Sequence, residues 1–491
     1  MKKGEVVVIG AGFAGFSAAI CLANKGFNVK ILEKNPTIGG RARQFTDSGF
    51  TFDMGPSWYW MPDVFESFFN QFGKTTADYY ELIRLDPSYQ VIHGKNDYMP
   101  IPANMHELER LFDSIELGAG EQLRKFLKIA EYKYEVGINK FVYKPSRSIL
   151  EFANPKLAVD AVRLQIFQSM AKHVRKFFKN ERLIQLMEFP VLFLGALPEN
   201  TPAMYSLMNY ADMALGTWYP KGGMFKIIEA LESLAKEKGV EILTDHEVTS
   251  INYSGKRATS VSTNHGDFKS DVVVAGADYH HVDSMLLDSE TRNYDETYWD
   301  KRVMAPSSLL YYVGVNKKLE GLLHHNLFFD TDFAPHAHNI YTDPKWPEKP
   351  LFYVSAPSKT DNTVAPEGCE NIFMLIPVAP GLDDTEDIRA HYFDLMLERM
   401  KDRMGLDFKE NIVFKRSFAH KDFVNDYNAF KGNAYGLANT LNQTAILKPQ
   451  LANKKLNNLF YTGQLTVPGP GVPPSLISGQ VVAKEIIKDF G

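Results

Sequence analysis

The first 32 residues constrain the fold more than any other feature, because they predict a strand, a glycine-rich turn, a helix and a second strand. Residues 5–9 are a β-branched run, typical of a parallel strand buried on both faces. An Ala/Ile/Leu-rich helix is predicted over 16–25 and a strand over 27–32. Three spaced glycines precede the helix: Gly10, Gly12 and Gly15. They allow a tight turn, close approach to a pyrophosphate and close helix–strand packing, so the segment predicts a Rossmann-like dinucleotide-binding unit.

The end of the second strand indicates which part of a dinucleotide lies there. Glu33 follows Gly15 by 18 residues and is placed to accept hydrogen bonds from an adenosine ribose. The phosphates would then lie at the helix N-terminus, where free N–H groups and the helix dipole favour an anion. This unit alone leaves nicotinamide and flavin dinucleotides both open.

The segment after Glu33 distinguishes between these cofactors. Residues 35–43 read Asn-Pro-Thr-Ile-Gly-Gly-Arg-Ala-Arg and resemble the Gly-Gly-Arg extension of the flavin amine oxidase and carotenoid desaturase superfamily. The resemblance implies FAD as the cofactor. It also implies that the planar guanidinium of Arg41 neutralises charge on the flavin diphosphate.

Further segments are similar to the bacterial phytoene-desaturase-type carotenoid desaturases over nearly the full length. They are 48–57 (Ser-Gly-Phe-Thr-Phe-Asp-Met-Gly-Pro-Ser), 432–437, 440–449 and 461–475 (Tyr-Thr-Gly-Gln-Leu-Thr-Val-Pro-Gly-Pro-Gly-Val-Pro-Pro-Ser). The run Trp-Tyr-Trp-Met-Pro at 58–62 resembles the Bacteroidetes branch. The resemblance implies successive dehydrogenations of a C40 carotenoid, with phytoene converted toward lycopene as the expected reaction.

The glycine unit and the resemblance together predict a set of cofactor contacts. They are Gly10, Ala11, Gly12, Gly15, Glu33, Lys34, Gly40, Arg41, Gly55, Pro56, Ser57, Val248, Gly463, Gly471 and Val472. The backbone of Val248 is expected near the adenine. The glycine-rich turn before the last predicted helix, 475–489, is expected to face the flavin ring. No Cys or His stands in a recognised attachment motif, so FAD is expected to bind non-covalently.

The chemistry of desaturation requires few polar groups. FAD would receive a hydride, and water or a carboxylate could accept the proton, so no obligatory catalytic dyad is expected. Asp53 and Asp422 are candidates for proton acceptance, with structural hydrogen bonding as the alternative. The histidine pairs 280–281 and 324–325 predict no metal site, because adjacent residues of a strand point to opposite faces.

These patterns predict an α/β chain in which the FAD-binding domain is assembled from discontinuous segments. Those segments are 1–78, 216–296 and 451–491. Residues 79–215 are expected to form a helical cap, and 297–450 a mixed α+β substrate domain containing several strand-like runs.

The net charge and the hydropathy pattern indicate which classes of partner the protein can bind. The net charge of −5 and pI near 6.3 argue against nucleic acid as a partner. No run of roughly 18 apolar residues predicts a membrane span. The segment 147–180 is basic and could present Phe167, Met170, Val174 and Phe177 to an anionic lipid surface, with a core-facing helix as the alternative. Because the N-terminus leads directly into a strand, we expect a cytoplasmic protein at the inner face of the cell membrane.

Several alternatives remain open. One is a hydroxycarotenoid 3,4-desaturase, whose substrate is already conjugated and carries a hydroxyl group. A site for a pure hydrocarbon should hold no buried polar group that lacks a partner, since such a group costs about 1–3 kcal/mol. Others are a carotenoid isomerase, a retinol-saturase-like reductase, an amine oxidase and a non-catalytic prenyl-binding escort protein, which should lack an intact glycine fingerprint. No second nucleotide motif is evident, so oxygen or a membrane quinone is the expected electron acceptor.

Overall fold

The fold is known from a computed structural model that describes residues 4–146, 163–440 and 443–491. In chain order its strands are β1 (Glu5–Ile9), β2 (Asn28–Leu32), β3 (Gln44–Asp47), β4 (Phe50–Asp53), β5 (Leu82–Arg84), β6 (Tyr89–Gly94), β7 (Asp97–Ile101), β8 (Trp218–Pro220), β9 (Glu241–Leu243), β10 (Val248–Ser254), β11 (Arg257–Thr263), β12 (Gly266–Lys269), β13 (Val272–Ala275), β14 (Ser307–Val315), β15 (His325–Phe328), β16 (Phe352–Ser355), β17 (Glu370–Val378), β18 (Ile412–Phe418) and β19 (Leu459–Tyr461).

The longer helices connect and cover these strands. Those of at least five residues are α1 (Phe13–Ala23), α2 (Pro62–Asn70), α3 (Met105–Ile115), α4 (Ala119–Val136), α5 (Met170–Val174), α6 (Glu181–Glu188), α7 (Phe225–Glu237), α8 (Glu296–Asp300), α9 (Phe333–Tyr341), α10 (Glu386–Met404), α11 (His420–Tyr427) and α12 (Val472–Phe490).

A five-stranded parallel sheet in the order β19-β13-β1-β2-β9 forms the dinucleotide-binding fold. The first and last helices of the chain, α1 and α12, pack against each other. Gly479 permits this approach, since a Cβ there would lie 2.4 Å from the carbonyl oxygen of Ala14. The expected α/β architecture, with the two chain ends meeting in one domain, is confirmed.

A seven-stranded mixed sheet in the order β18-β14-β17-β16-β15-β6-β7 forms a second layer. Alternation along β17 places Met374 and Ile376 against α10 in one core cluster, whereas Phe373 and Leu375 pack with the other. Strands β6 and β7 come from the segment 79–215, for which a helical cap was predicted. Strand β6 pairs with β15 and β7 pairs with β6, so this segment also extends the substrate sheet.

The helices α3 to α6 cover the seven-stranded sheet from the side opposite α10. Of the basic segment 147–180, residues 147–162 lie outside the described parts of the chain. In the remainder, Met170 and Val174 are fully buried, so the predicted lipid-facing stripe is wrong at these positions. They pack into the core because α5 is enclosed by neighbouring cap elements, whereas Phe167 is 84% exposed. Across the described ranges, no helix combines the length and apolar character that a membrane crossing requires.

Candidate functional site

A cavity that is partly open to solvent lies at the carboxyl ends of β1, β2 and β13. Crevices at this edge of a doubly wound sheet are where dinucleotides bind. Many predicted cofactor contacts line it: Gly10, Gly12, Glu33, Lys34, Gly40, Arg41, Gly55, Pro56, Val248, Gly463, Gly471 and Val472. Three predicted contacts, Ala11, Gly15 and Ser57, are not part of this lining.

The glycines at the start of α1 have different roles. Gly12 is the N-cap, no side chain caps the helix there, and a Cβ on it would meet nothing within 4 Å among the described atoms. This space lies in the cavity and suits a phosphate at the helix N-terminus. Gly15 instead packs the helix on the strand, because a Cβ there would lie 2.0 Å from the carbonyl oxygen of Gly10.

Glu33 is held in place by backbone and side-chain donors. Its Oε2 accepts a hydrogen bond from the Ala11 N–H at 2.9 Å. Its Oε1 accepts from the N–H of Asn35 at 3.0 Å and from Asn35 Nδ2 at 2.9 Å. The buried carboxylate is therefore fixed at the cavity wall, and Ala11 acts by positioning it.

Arg41 projects into the cavity with an unused donor. Its guanidinium lies 5.3 Å from the ring centre of Tyr427, and Nη2 donates to the Asn433 carbonyl at 3.4 Å. Its buried Nε has no hydrogen-bond partner in the described structure. Burial lowers the pKa of Arg41, and nearby Asp278 opposes this shift. A buried guanidinium with a free donor beside a helix N-terminus fits a diphosphate.

The opposite end of the cavity is largely apolar. The seven-stranded sheet contributes Leu310 and Leu375, and Tyr435 lies beside them. The last helix begins at this end with Gly471 as its N-cap, at φ +110°. Pro473 and Pro474 have no N–H, so Val472 supplies an amide hydrogen at this helix start. Leu310, Leu375 and Tyr435 were not predicted from the sequence: the two leucines lie in strand-like runs, and Tyr435 lies in the family-like segment 432–437.

The two candidate catalytic carboxylates cap helices and do not line this cavity. Asp53 Oδ2 accepts from the N–H of Met224 at 2.7 Å, and its Oδ1 from the N–H of Phe225 at 3.1 Å. Burial raises the pKa of Asp53 to about 6. Asp422 accepts from the Ala419 N–H at 2.8 Å and from Arg389 Nη2 at 2.7 Å. Helix N-termini thus engage both oxygens of Asp53 and Oδ2 of Asp422, and Arg389 contacts the latter as well.

Ser57 and Asp53 lie together at a separate small cavity, which Tyr219, His324 and Asn371 also line. Pro56 therefore lines the larger cavity, whereas the next residue, Ser57, lines the small one.

Two buried polar groups near the larger cavity were not predicted from the sequence. The Lys448 Nζ and Asn439 Oδ1 have no hydrogen-bond partner within the described ranges. They lie 3.2 and 3.0 Å from the position that a Cβ would take on Gly469. Gly469 precedes the cavity residue Gly471 by two positions. Burial lowers the pKa of Lys448 to about 7.

Comparisons with known proteins give the family of this chain. The family model described as flavin containing amine oxidoreductase matches residues 13–487. A carotenoid 3,4-desaturase of Haloarcula japonica is 43% identical over 488 residues, covering 99% of this chain and 98% of that protein. A zeta-carotene-forming phytoene desaturase of Myxococcus xanthus is 31% identical over 490 residues, covering 98% of this chain and 94% of that protein.

A solved structure shows the same fold at low identity. An oxidoreductase from Methanosarcina mazei superposes with a TM-score of 0.61 and 16% identity, covering 98% of this chain and 100% of that one. The fold, the family model and the near full-length relatives all agree. The chain therefore belongs to the flavin-containing amine oxidoreductase family and, within it, to the carotenoid desaturases.

Proposed function

We propose that this chain is an FAD-dependent desaturase that removes two hydrogens from adjacent saturated carbons of a carotenoid. One observation carries the proposal: a single cavity joins a phosphate-binding cradle to an apolar end, in a chain 43% identical to a carotenoid 3,4-desaturase. An isomerase, a reductase, an amine oxidase or an escort protein could share the fold. The relatives above favour the desaturases over these alternatives.

The residues present suit non-covalently bound FAD. The start of α1 and Arg41 would hold the diphosphate, Glu33 the adenosine ribose, and Gly471 and Val472 the flavin ring. When bound, FAD supplies a two-electron acceptor that takes a hydride from a substrate carbon. The polar cradle therefore fixes the cofactor, and the apolar end receives the substrate.

The apolar end also determines where the second hydrogen goes. Leu310 and Leu375 form apolar walls at this end, and a cation left on the substrate by hydride loss would be stabilised by delocalisation along its conjugated chain. Tyr435 lines this end, forms a hydrogen bond with Ser308, and has its pKa raised to about 12 by burial. It therefore stays protonated and can orient one water. We assign the proton to such a water, because Asp53 and Asp422 are engaged as helix caps.

Two observations favour an oxygen-bearing carotenoid and 3,4-desaturation. The first is the higher identity to the 3,4-desaturase, 43% against 31% for the phytoene desaturase. The second is the pair Lys448 and Asn439, whose unpartnered polar atoms would be costly beside a pure hydrocarbon. Phytoene, expected from the motifs at 48–62 and 461–475, remains the second candidate substrate.

We further propose that the protein binds the membrane peripherally, at the inner face of the cell membrane. Its substrate dissolves in the bilayer, and four cations of the cap, Lys172, Arg175, Lys176 and Lys179, are exposed. Phe167 is exposed on the same segment. Such a combination attracts anionic headgroups and inserts an aromatic ring.

The test supplies phytoene and a 1-hydroxylated carotenoid separately, in neutral and in anionic vesicles, with oxygen or a quinone as electron acceptor. We expect faster conversion of the hydroxylated substrate, and faster turnover on anionic vesicles at low salt. Conversion of phytoene alone would assign the second candidate. Conversion of neither, by protein that contains flavin, would contradict carotenoid desaturation.

A further inference from the structure

A second, much smaller recess lies where the cap meets the seven-stranded sheet. Its walls are mainly apolar and include Phe189, Phe329, Phe333 and Leu351, and Thr331 lies at its half-exposed rim. Nothing in the dinucleotide-binding fold requires an apolar recess at this position. Its apolar side chains offer a contact surface for a hydrocarbon chain.

Aromatic rings connect this recess to the interior. Phe189 lies with its ring centre 6.1 Å from that of Phe329, and it is almost fully buried. On its inner side the ring centres of Trp58, Trp60 and Tyr89 lie 6.3, 6.5 and 5.6 Å away. Phe189 therefore separates the recess from a layer of aromatic side chains.

The same aromatic layer reaches the apolar end of the flavin cavity. The ring centres of Trp58 and Tyr353 are 5.5 Å apart. Tyr353 on β16 stands directly opposite Leu375 on β17, and Leu375 lines the flavin cavity. Side chains directly opposite on neighbouring strands share one face of a sheet. A continuous apolar wall thus runs from the recess to the place where substrate meets cofactor.

The wall is also uncharged. The Tyr353 hydroxyl and His325 Nδ1 are 2.6 Å apart, and the His325 ring stacks on Trp58 with centres 4.1 Å apart. Burial lowers the pKa of His325 well below its ordinary value, so the imidazole is neutral near pH 7. A neutral aromatic wall lets a hydrocarbon chain pass without burying it against a charge.

The outer side of the recess is charged in a manner that suits a membrane. Glu188 lines the recess and forms an ion pair with Arg175. Lys172, Lys176 and Lys179 lie within four residues of Arg175 in the sequence and are exposed. Anionic headgroups would therefore gather around the apolar opening.

We propose that this recess is the access site for the long isoprenoid substrate, which enters past Phe189 from an anionic lipid surface. The inference rests on the proposed function, because a hydrocarbon substrate is what requires such a path. The substrate thus enters through this recess and not through the solvent-open side of the flavin cavity.

The test uses one new cysteine at the recess and one elsewhere. Thr331→Cys places a thiol at the rim, where the Thr331 hydroxyl donates to the Lys349 carbonyl at 3.3 Å. Thr249→Cys is the matched control, since the exposed Thr249 donates in the same way to the Ser262 carbonyl at 3.3 Å, on β10. Both are made with Cys369→Ser, and Cys21 reacts slowly because burial raises its pKa to about 12.

A bulky maleimide should lower turnover of vesicle-bound carotenoid at least tenfold in the Thr331→Cys protein and leave the control unchanged, with flavin content equal in both. Complete labelling at residue 331 with full turnover would overturn the proposal.

A second readout does not need turnover. Vesicles carrying the carotenoid at about ten times its Kd should slow labelling of Thr331→Cys roughly tenfold. If no carotenoid is converted but protection is seen, the proposed function fails and the access site stands; absence of protection overturns the access site.

Discussion

The two ends of the flavin cavity are built in opposite ways. The diphosphate end uses backbone N–H groups, Glu33 and Arg41, all from the first 41 residues. The substrate end uses Leu310, Leu375 and Tyr435, which come from separate elements of a different sheet and its neighbouring loops. Under the proposed function, the first end binds a charge common to every flavin dinucleotide, and the second binds a largely apolar substrate. We therefore expect single substitutions at the diphosphate end to abolish or strongly weaken cofactor binding. Single substitutions at the substrate end should change substrate preference by smaller amounts.

The largest effect is expected at the diphosphate end, from Gly12→Val. A side chain there projects into open space where the phosphates would lie, so flavin binding should be abolished while the protein still folds. Flavin absorbance of the purified protein and its thermal unfolding measure the two outcomes. Gly15→Val is the comparison variant, and it should lower stability instead, because its Cβ would overlap the Gly10 carbonyl. Full flavin occupancy in Gly12→Val would show that the cradle is misplaced.

A smaller loss is expected from Arg41→Met at the same end. A charge-assisted hydrogen bond contributes about 1.5–3 kcal/mol, so flavin affinity should fall about 10- to 150-fold, measured by titrating apoprotein with FAD. Arg416→Met is a matched control. Arg416 is exposed and also lies over an aromatic ring, 4.9 Å from the centre of Phe45, but it does not line the cavity. Equal losses in both variants would remove Arg41 from the diphosphate site.

The smallest effect is expected near the substrate end, from Lys448→Met. If Lys448 binds a substrate hydroxyl, the preference in kcat/KM for a hydroxylated carotenoid over phytoene should fall about tenfold, with flavin affinity unchanged. Lys455→Met, at an exposed position, is the control. If the preference is unchanged, Lys448 does not bind the substrate hydroxyl.

Lys448→Met also has a signature in the pH dependence of stability. Burial lowers the pKa of Lys448 from 10.5 to about 7, so between these values the unfolded chain binds a proton that the folded protein does not. The wild-type free energy of unfolding therefore gains a contribution as pH rises from about 7 to 10.5. The variant lacks it, so its stability relative to the wild type should be greatest near pH 7 and decline toward pH 10.

Several features of the fold and of the candidate site could be predicted from the sequence alone. The βαβ unit, Glu33 and the Gly-Gly-Arg turn were predictable, because strand and helix periodicity and glycine conformation are set by neighbours in the chain. The family was predictable from motifs at both ends, which the near full-length relatives confirm.

Other features depended on the tertiary structure. Asp53 and Asp422 were candidate proton acceptors, yet each caps a helix, and Asp53 caps one that begins 172 residues later. Met170 and Val174 matched a lipid-facing stripe but face the core, and β6 and β7 join a sheet whose other strands begin at residue 307. The role of a carboxylate or an apolar face depends on which distant element packs against it. Sequence spacing fixes the direction of a side chain relative to its own helix or strand, and only packing fixes what it meets.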